Sequence, residues 1–238
     1  MDNWSELRLF DFETTGVGKH RDRPVQIGLI DGNGRVLMNT LVDPCMDIDK
    51  EASDVHGITR LDVAYHPDYL IGLWQMYQMI GLIPDVDPQR VLAGYNISQF
   101  DLPMALHCYK PDGFSPFVLD VLDLVYRLHP TLPSKKLSDV HLALIGEPLV
   151  GAHGAVQDCL GTLNVLRKIC EQTGLDPMQL SLLLAVPKPY EVMPIGKHCG
   201  KRVSEIPKSW ATYMISNAPN MRPDLAFTVS HILNQTRS

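Results

Sequence analysis

Two carboxylates, Asp11 and Glu13, stand close together near the start of the chain. They fall at the end of an alternating apolar run over residues 7–12, a pattern that predicts a β-strand. Residues two apart on a strand project from the same face, so both carboxylates would point in one direction. Like charges held that close repel each other, and a bound divalent cation relieves the repulsion. Taken alone, the pair predicts either a cation site or a solvated strand end.

A third carboxylate, Asp101, ends the segment YNISQFD at 95–101. This segment follows a short predicted strand over 91–94 and opens a predicted helix over 101–109. A carboxylate in the first turn of a helix can also act only as a partner of the helix dipole. Asp101 therefore becomes a candidate ligand only in combination with other acidic residues.

A fourth carboxylate, Asp158, lies near the start of a predicted helix over 155–172, five residues after His153. Positions five apart in one helix point in directions about 140° apart. The two side chains can therefore converge only if His153 lies on the preceding loop, where Gly151 and Gly154 provide flexibility. Imidazole titrates near neutral pH, so this histidine is a candidate general base.

These features together resemble the three exonuclease motifs of the DnaQ-like, DEDDh-type 3′→5′ exonucleases. The matching patterns are DxE on a strand, NxxxFD at a strand-to-helix turn and HxxxxD at a late helix. Thr14-Thr15-Gly16 after the first motif and the segment VHGIT at 55–59 also match the family. The resemblance covers residues 7 to about 172.

The resemblance implies a ribonuclease-H-like fold and two-metal hydrolysis that releases 5′-mononucleotides. The four acids would hold two Mg²⁺ or Mn²⁺ ions, with Asp11 bridging them, and His153 would take a proton from the attacking water. The resemblance also implies contacts with the substrate. The residues concerned are Thr14, Thr15, His56 and Asn96.

The C-terminal segment carries a second resemblance, to the small hairpin at the end of exodeoxyribonuclease X-type enzymes. It contains MPIGKHCGKRV at 193–203, in which Lys197, Lys201 and Arg202 crowd a glycine-rich turn. Cations beside such a turn can approach a phosphate closely. The segment is therefore expected to bind nucleic acid, although a hairpin that only caps the fold is the alternative.

The elements around these residues predict a mixed sheet covered by helices, of the α/β class. Two β-rich runs at 25–30 and 36–42 flank Asp31-Gly32-Asn33-Gly34, a hairpin signal, and helices are predicted over 69–83, 123–128 and 137–145. Three regions are expected: an exonuclease domain over 1–173, a connecting helix and linker over 174–189, and a small β-hairpin and helix module over 190–238. Asp120 and Asp123, near Lys135 and Lys136, are expected on a solvated face.

Composition limits the class of protein. The 238 residues are 45% hydrophobic and 20% charged, which is ordinary for a chain with a core and excludes a mostly disordered one. Residues 1–184 carry 14 Lys/Arg and 24 Asp/Glu, whereas 185–238 carry 7 and 3, so the net charge of −6 conceals an acidic and a basic part. The five scattered cysteines, the lack of a signal segment and the lack of a long apolar run predict a cytoplasmic protein without membrane contact.

The sequence therefore predicts a two-metal 3′→5′ exonuclease acting on DNA ends, in DNA repair, replication or nucleic-acid turnover. Three alternatives remain: an exoribonuclease that trims RNA ends, a proofreading subunit that docks to a polymerase, and a non-catalytic nucleic-acid-binding protein on the same fold. The preference for single strand or duplex and the oligomeric state are not predicted.

Overall fold

The fold is taken from a computed structural model that describes residues 3–81, 90–151 and 153–234. The chain divides into two compact units. The first unit comprises Met1–Val121 and Lys136–Ser181, and the second comprises Leu122–Lys135 and Leu182–Ser238. The second unit thus takes in a segment from the middle of the chain, whereas the domains expected from the sequence are contiguous. Those domain bounds stay a prediction.

A five-stranded mixed sheet forms the centre of the first unit, in the order β3-β2-β1-β4-β5. The strands are β1 (Leu7–Thr14), β2 (Pro24–Asp31), β3 (Val36–Leu41), β4 (Val91–Gly94) and β5 (Phe117–Asp120). β1 pairs antiparallel with β2 and parallel with β4, and β4 pairs parallel with β5. The carboxyl ends of β1, β4 and β5 therefore lie along the same edge of the sheet, which is where sites form in such folds.

The predicted hairpin between β2 and β3 is confirmed. Asp31 closes it, because its side chain accepts the backbone N–H groups of Asn33 and Arg35 at 3.0 and 2.9 Å. Gly34 adopts a φ of 86°, a conformation that glycine tolerates without strain. The turn fixes the register between β2 and β3, with Gly28 opposite Asn39.

Ten helices accompany the sheet in the described residues. They are α1 (Lys50–His56), α2 (Arg60–Val63), α3 (Tyr69–Ile80), α4 (Asp101–Cys108), α5 (Val121–Leu128), α6 (Leu137–Ile145), α7 (Ala155–Thr173), α8 (Pro177–Ala185), α9 (Lys208–Asn217) and α10 (Pro223–Asn234). α7 ends one residue beyond the predicted 172, directly before Gly174, which has a φ of 70°. Residues 82 and 83, the predicted end of α3, lie outside the described residues.

The core of the first unit lies between the sheet and α3 and α4. Apolar side chains of β1 and β2 are buried against the inner face of α3. The residues concerned are Phe10, Phe12, Ile27 and Leu29 of the sheet and Leu73, Met76 and Tyr77 of α3. α7 covers the sheet through contacts with β1 and β2. Burial of the apolar surface between the sheet and α3 and α4 is a main stabilising contribution, and it positions α4 relative to β1.

A separate core holds the second unit together. Tyr190, Met193, Val203 and Trp210 pack with the buried face of α10. The β-hairpin predicted here is present only as a turn with one bridge, between Val192 and Arg202. Pro194 offers no N–H, and the chain turns into short 3₁₀ segments at Gly196–His198 and Val203–Glu205, so the pairing does not extend.

None of the helices in the described ranges has the length and apolar character that a membrane span requires.

Candidate active site

Two of the predicted acids lie on β1. Asp11 and Glu13 lie opposite Gly28 and Gln26 of β2, near the carboxyl end of the strand. Glu13 is buried and Asp11 is half-buried. Because the strand alternates, the two side chains project from the same face, as the sequence predicts.

Asp158 joins them from the first turn of α7. One carboxylate oxygen from each of Asp11, Glu13 and Asp158 lies within 4.8 Å of the other two. The close approach of α7 to the sheet depends on Gly28, because a Cβ there would lie 2.6 Å from the Ala155 carbonyl carbon and 2.7 Å from the Val156 nitrogen. Gly28 is thus a site-forming residue that the sequence analysis missed.

Asp101 lies beside this group but is not one of its three members. It is buried at the start of α4, and its Oδ1 accepts the backbone N–H of Phe12, between the two acids of β1, at 3.2 Å. The hydrogen bond ties α4 directly to the strand. The structure therefore brings three of the four predicted acids into one cluster and anchors the fourth next to it.

Asp120 holds the turn that leads into α4. Its two carboxylate oxygens accept the backbone N–H groups of Asn96 and Ser98, each at 3.0 Å. Asn96 has a φ of 66°, so this turn contains a left-handed residue that the two hydrogen bonds stabilise. Asp120 is only 1% exposed. The expectation of a solvated face was wrong for Asp120, and also for Asp123, whose side chain pairs with Arg222 and is 16% exposed.

The acids of the site shift each other's titration. Burial first, and then the charges of Asp101, Asp158 and Glu13, raise the pKa of Asp11 well above its usual range. Burial, with the charge of Asp158, raises the pKa of Glu13 to about 7. Burial raises the pKa of Asp101 to about 8, although its hydrogen bond from Phe12 acts in the opposite direction.

His153 lies on the loop before α7, as convergence with Asp158 requires. It is exposed and directly precedes Gly154, the N-cap of the helix. Its φ of 69° is unusual for a residue with a side chain. Burial raises the pKa of Asp158, while a backbone hydrogen bond from His153 and the charge of its ring act to lower it. The histidine is therefore electrostatically linked to the acidic cluster.

The donor set fits a hard divalent cation. Asp158 Oδ1 is buried and has no hydrogen-bond partner within the described residues, so it lacks the compensation that a buried carboxylate normally has. All the converging donors are carboxylate oxygens, the ligands that Mg²⁺, Mn²⁺ and Ca²⁺ prefer. The cluster is therefore suited to hold a metal ion.

We expect the protein without divalent cations to lose stability as the pH rises. Glu13 titrates at 4.5 in its ordinary state and at about 7 in the fold, and Asp101 at 3.8 and about 8. Between these values the folded state binds more protons than the unfolded one, so the free energy of unfolding falls with increasing pH. Thermal melts in chelator at pH 5, 6, 7 and 8 should show the fall as a decreasing Tm, roughly 2–4 °C for each kcal/mol.

The variant Glu13→Gln serves as the control for this titration. It removes one titrating group and should flatten the slope of Tm against pH. Saturating divalent cation should also remove the fall, because the cation replaces the protons. A Tm that rises between pH 5 and 8 in chelator would contradict the repulsion among the acids.

Most of the predicted substrate contacts have partners inside the fold. Thr14 is buried, and its hydroxyl donates to the carbonyl of Gly16 at 2.7 Å. Thr15 is fully buried and its hydroxyl accepts the backbone N–H of Arg23 at 3.1 Å, so its side chain is used inside the fold. His56 Nδ1 accepts the N–H of Ile58, which leaves Nε2–H to donate to the carbonyl of Thr14 at 3.1 Å. Both ring nitrogens of His56 are thereby occupied, and only its ring face remains for a substrate. Asn96 is half-buried in the turn that Asp120 holds.

The three predicted cations of the C-terminal segment belong to the second unit. Lys197, Lys201 and Arg202 are exposed, and no hydrogen bond or ion pair of their side chains occurs in the part of the chain that the structure describes. Burial, and then the charges of Lys197 and Lys201, lower the pKa of His198 between them. The glycine-rich turn therefore concentrates positive charge at the surface.

Proteins with related sequences are nucleases by name. Exodeoxyribonuclease 10 of Escherichia coli (strain K12) is 25% identical over 236 residues, which cover 97% of this chain and 100% of that protein. The uncharacterized exonuclease CP81 of Escherichia phage 186 is 46% identical over 177 residues, which cover 67% of this chain and 86% of that protein.

Solved structures confirm the predicted ribonuclease-H-like fold. E. coli exonuclease I, solved with a dA16 oligonucleotide, matches with a TM-score of 0.62 and 20% identity. The match covers 75% of this chain, which spans 42% of the exonuclease I chain. Exonuclease X, solved with 5′-overhanging duplex DNA, matches with a TM-score of 0.56 and 22% identity over 74% of this chain and 98% of that one.

The family model described as exonuclease (RNase_T) matches residues 9–166, the segment that carries all four acids and His153. The fold and the acidic cluster are both consistent with this family match. The chain belongs to the RNase_T exonuclease family.

Proposed function

We propose that the protein is a divalent-cation-dependent 3′→5′ exonuclease that releases 5′-mononucleotides from DNA. The observation that carries the proposal is the convergence of Asp11, Glu13 and Asp158, with an unpartnered buried oxygen on Asp158. DNA as substrate is supported by the name of the related exodeoxyribonuclease and by the DNA in the exonuclease I and X structures. A cytoplasmic location is part of the same proposal.

The four acids Asp11, Glu13, Asp101 and Asp158 are proposed to hold two Mg²⁺ or Mn²⁺ ions, the first, second and fourth of them from the observed cluster. When bound, such ions act as Lewis acids that stabilise the charge developing on the phosphate and on the leaving oxygen. Exonuclease I has also been solved with zinc. The donor set here is all oxygen, which favours the harder ions.

His153 is proposed as the general base. Its imidazole accepts a proton from the attacking water, the water oxygen forms a bond to phosphorus, and the bond from phosphorus to the 3′ oxygen breaks. The 3′ oxygen takes a proton from solvent water and becomes the hydroxyl of the shortened strand, and His153 later returns its own proton to solvent. Exposure of the ring on a loop beside two glycines allows it to reach water at the acidic cluster.

Four substrates distinguish this function from its alternatives: single strands labelled at the 5′ end, the same strands labelled at the 3′ end, duplex DNA, and RNA of the same sequence. We expect progressive shortening of 5′-labelled DNA, immediate release of a 3′-labelled mononucleotide and full loss of both with chelator. Faster shortening of RNA than of DNA would identify an exoribonuclease. Binding without shortening would leave a nucleic-acid-binding protein on the same fold.

The three regions expected from the sequence are retained in this proposal, with residues 190–238 as a nucleic-acid-binding module. The exposed, unpaired state of Lys197, Lys201 and Arg202 in the described structure supports this role. Phosphate contacts of such side chains carry no sequence information, but each releases counterions. Docking to a polymerase is the alternative role for the same segment.

Replacing Lys197, Lys201 and Arg202 together by alanine should weaken binding of long single strands about equally for all sequences. Each lost phosphate contact should lower the slope of log affinity against log salt by roughly 0.7. Fluorescence anisotropy in chelator at several salt concentrations measures this slope. A segment that only caps the fold predicts the opposite pattern, a lowered Tm with an unchanged slope.

A further inference from the structure

The second unit uses some of its cations inside the fold. Arg127 Nε donates to Asp224 Oδ2 at 2.7 Å, and Arg222 pairs with Asp123. Both guanidinium groups are largely buried, with exposed fractions of 8% and 11%. These two arginines are neutralised by structural partners and are not available to a ligand.

Other cations of this unit surround an open groove of about 570 Å³. Lys188, Arg202 and His231 line it, together with the hydroxyl of Ser204 and one acid, Glu191. The three basic side chains are exposed, and none has a hydrogen bond or ion pair within the ranges that the structure describes. The groove therefore presents two cationic side chains and a histidine without ion-pair partners in the described structure, beside a single acid.

Backbone hydrogen bonds hold one wall of the groove in place. The N–H of Lys188 donates to Asp224 Oδ1 at 2.9 Å, and the N–H of Tyr190 donates to Thr228 Oγ1 at 2.8 Å. Both acceptors lie on α10, the helix that also carries His231. The backbone that bears Lys188 and the helix that bears His231 are thus held together before any ligand arrives.

A second pair of hydrogen bonds holds the segment that carries Arg202. Met193 N–H donates to the carbonyl of Lys201, and Val203 N–H donates to the carbonyl of Glu191, each at 2.9 Å. These bonds enclose Arg202, which forms the bridge with Val192. A site whose backbone is already fixed loses less entropy when it binds.

We infer that this groove binds phosphate groups of a nucleic-acid backbone, an inference that rests on the proposed nuclease function. A guanidinium group can bind two phosphate oxygens at once, an ammonium group adds a point charge, and a hydroxyl adds a hydrogen bond. The groove is open to solvent, so a phosphate group that belongs to a longer chain can enter it. Lys188, His231 and Ser204 thereby extend the surface of the glycine-rich turn, with Arg202 common to both.

Charge reversal at Lys188 tests the groove. Binding of a labelled single strand of mixed sequence is measured in chelator over about 50–200 mM salt. We expect Lys188→Glu to weaken binding about tenfold at the lowest salt. It should also lower the slope of log affinity against log salt by roughly 0.7, the value for the loss of one phosphate contact. Lys188→Arg keeps the charge and should retain most of the affinity.

The matched control is Lys110→Glu, the same charge change at an exposed lysine of the first unit. Equal losses for the two reversals would show that only net charge matters and would overturn the inference. Inorganic phosphate provides a second arm. Binding of phosphate that depends on Lys188, combined with unchanged binding of DNA, would show a small-anion site and would also overturn it.

Hydrolysis of the same strand by the wild-type protein with Mg²⁺ separates this inference from the function on which it rests. Hydrolysis with no dependence of binding on Lys188 rejects the groove alone. Binding that depends on Lys188 without any hydrolysis rejects the proposed catalysis and retains the groove. Melting curves of each variant confirm that the exposed substitutions leave the second unit folded.

Discussion

Replacing Asp158 by asparagine should lower kcat/KM on single-stranded DNA by at least about three orders of magnitude, because a cation ligand and its charge are lost. The side chain keeps its shape, so the fold should be intact. Asp158 Oδ1 is buried without a partner in the described structure, and Asp158 repels Asp11 and Glu13. In chelator, the variant should therefore melt at a higher temperature than the wild type.

Asp54→Asn is the matched control, since Asp54 is an exposed residue of α1 that pairs with Lys50. It should change neither activity nor Tm by much, as is usual for surface ion pairs. Steady-state kinetics with saturating Mg²⁺ and melts in chelator provide both readouts. Full activity of the Asp158→Asn variant would rule out the acidic cluster as the catalytic centre.

Replacing His153 by alanine should lower kcat roughly 10²–10⁴-fold, the usual contribution of a positioned general base. Cation binding should survive, because the carboxylates remain. The contribution of this base to the pH–rate profile should disappear. Rates measured between pH 5.5 and 9 with saturating cation and substrate show both effects.

His66→Ala controls for the loss of an imidazole elsewhere, since His66 is an exposed residue of the same unit. It should leave kcat and the pH profile unchanged. The assignment of His153 fails if its variant binds substrate poorly yet turns over at the normal rate when saturated. In that case the histidine positions substrate and does not take the proton.

Local sequence patterns predict the elements that carry the site. The turn at Asp31–Gly34 fixes the β2–β3 hairpin, and Gly174 ends α7. Short-range chemistry decides both features, because a turn type and a helix end each depend on a few neighbouring residues. The order of the acidic motifs then allows Asp11, Glu13 and Asp158 to be identified before their convergence is seen.

The sequence gives much less information about partners that are distant along the chain. From the sequence, Asp120 is interpreted as an ordinary surface acid. In the structure, the parallel pairing of β4 and β5 brings it beside Asn96. The buried hydroxyl of Thr15 likewise depends on Arg23 across the strand end. The position of Asp120 at the end of a predicted strand could have indicated its role. The carboxyl ends of neighbouring parallel strands meet at a common edge of the sheet, where a polar side chain can contact the loop that follows the next strand.

The dependence of the acidic cluster on α7 has a consequence for how activity appears during synthesis. Asp11 and Asp158 come from opposite ends of the first unit, and only the packing of α7 on β1 and β2 brings them together. Such contacts between remote segments form late in folding, after loop closure has been compensated by packing. A nascent chain that has emerged only as far as β5 contains Asp11, Glu13 and Asp101 but lacks Asp158, so the acidic cluster cannot yet form. With this cluster as the proposed catalytic centre, cleavage is expected to begin only after α7 has been synthesised and has packed on the sheet.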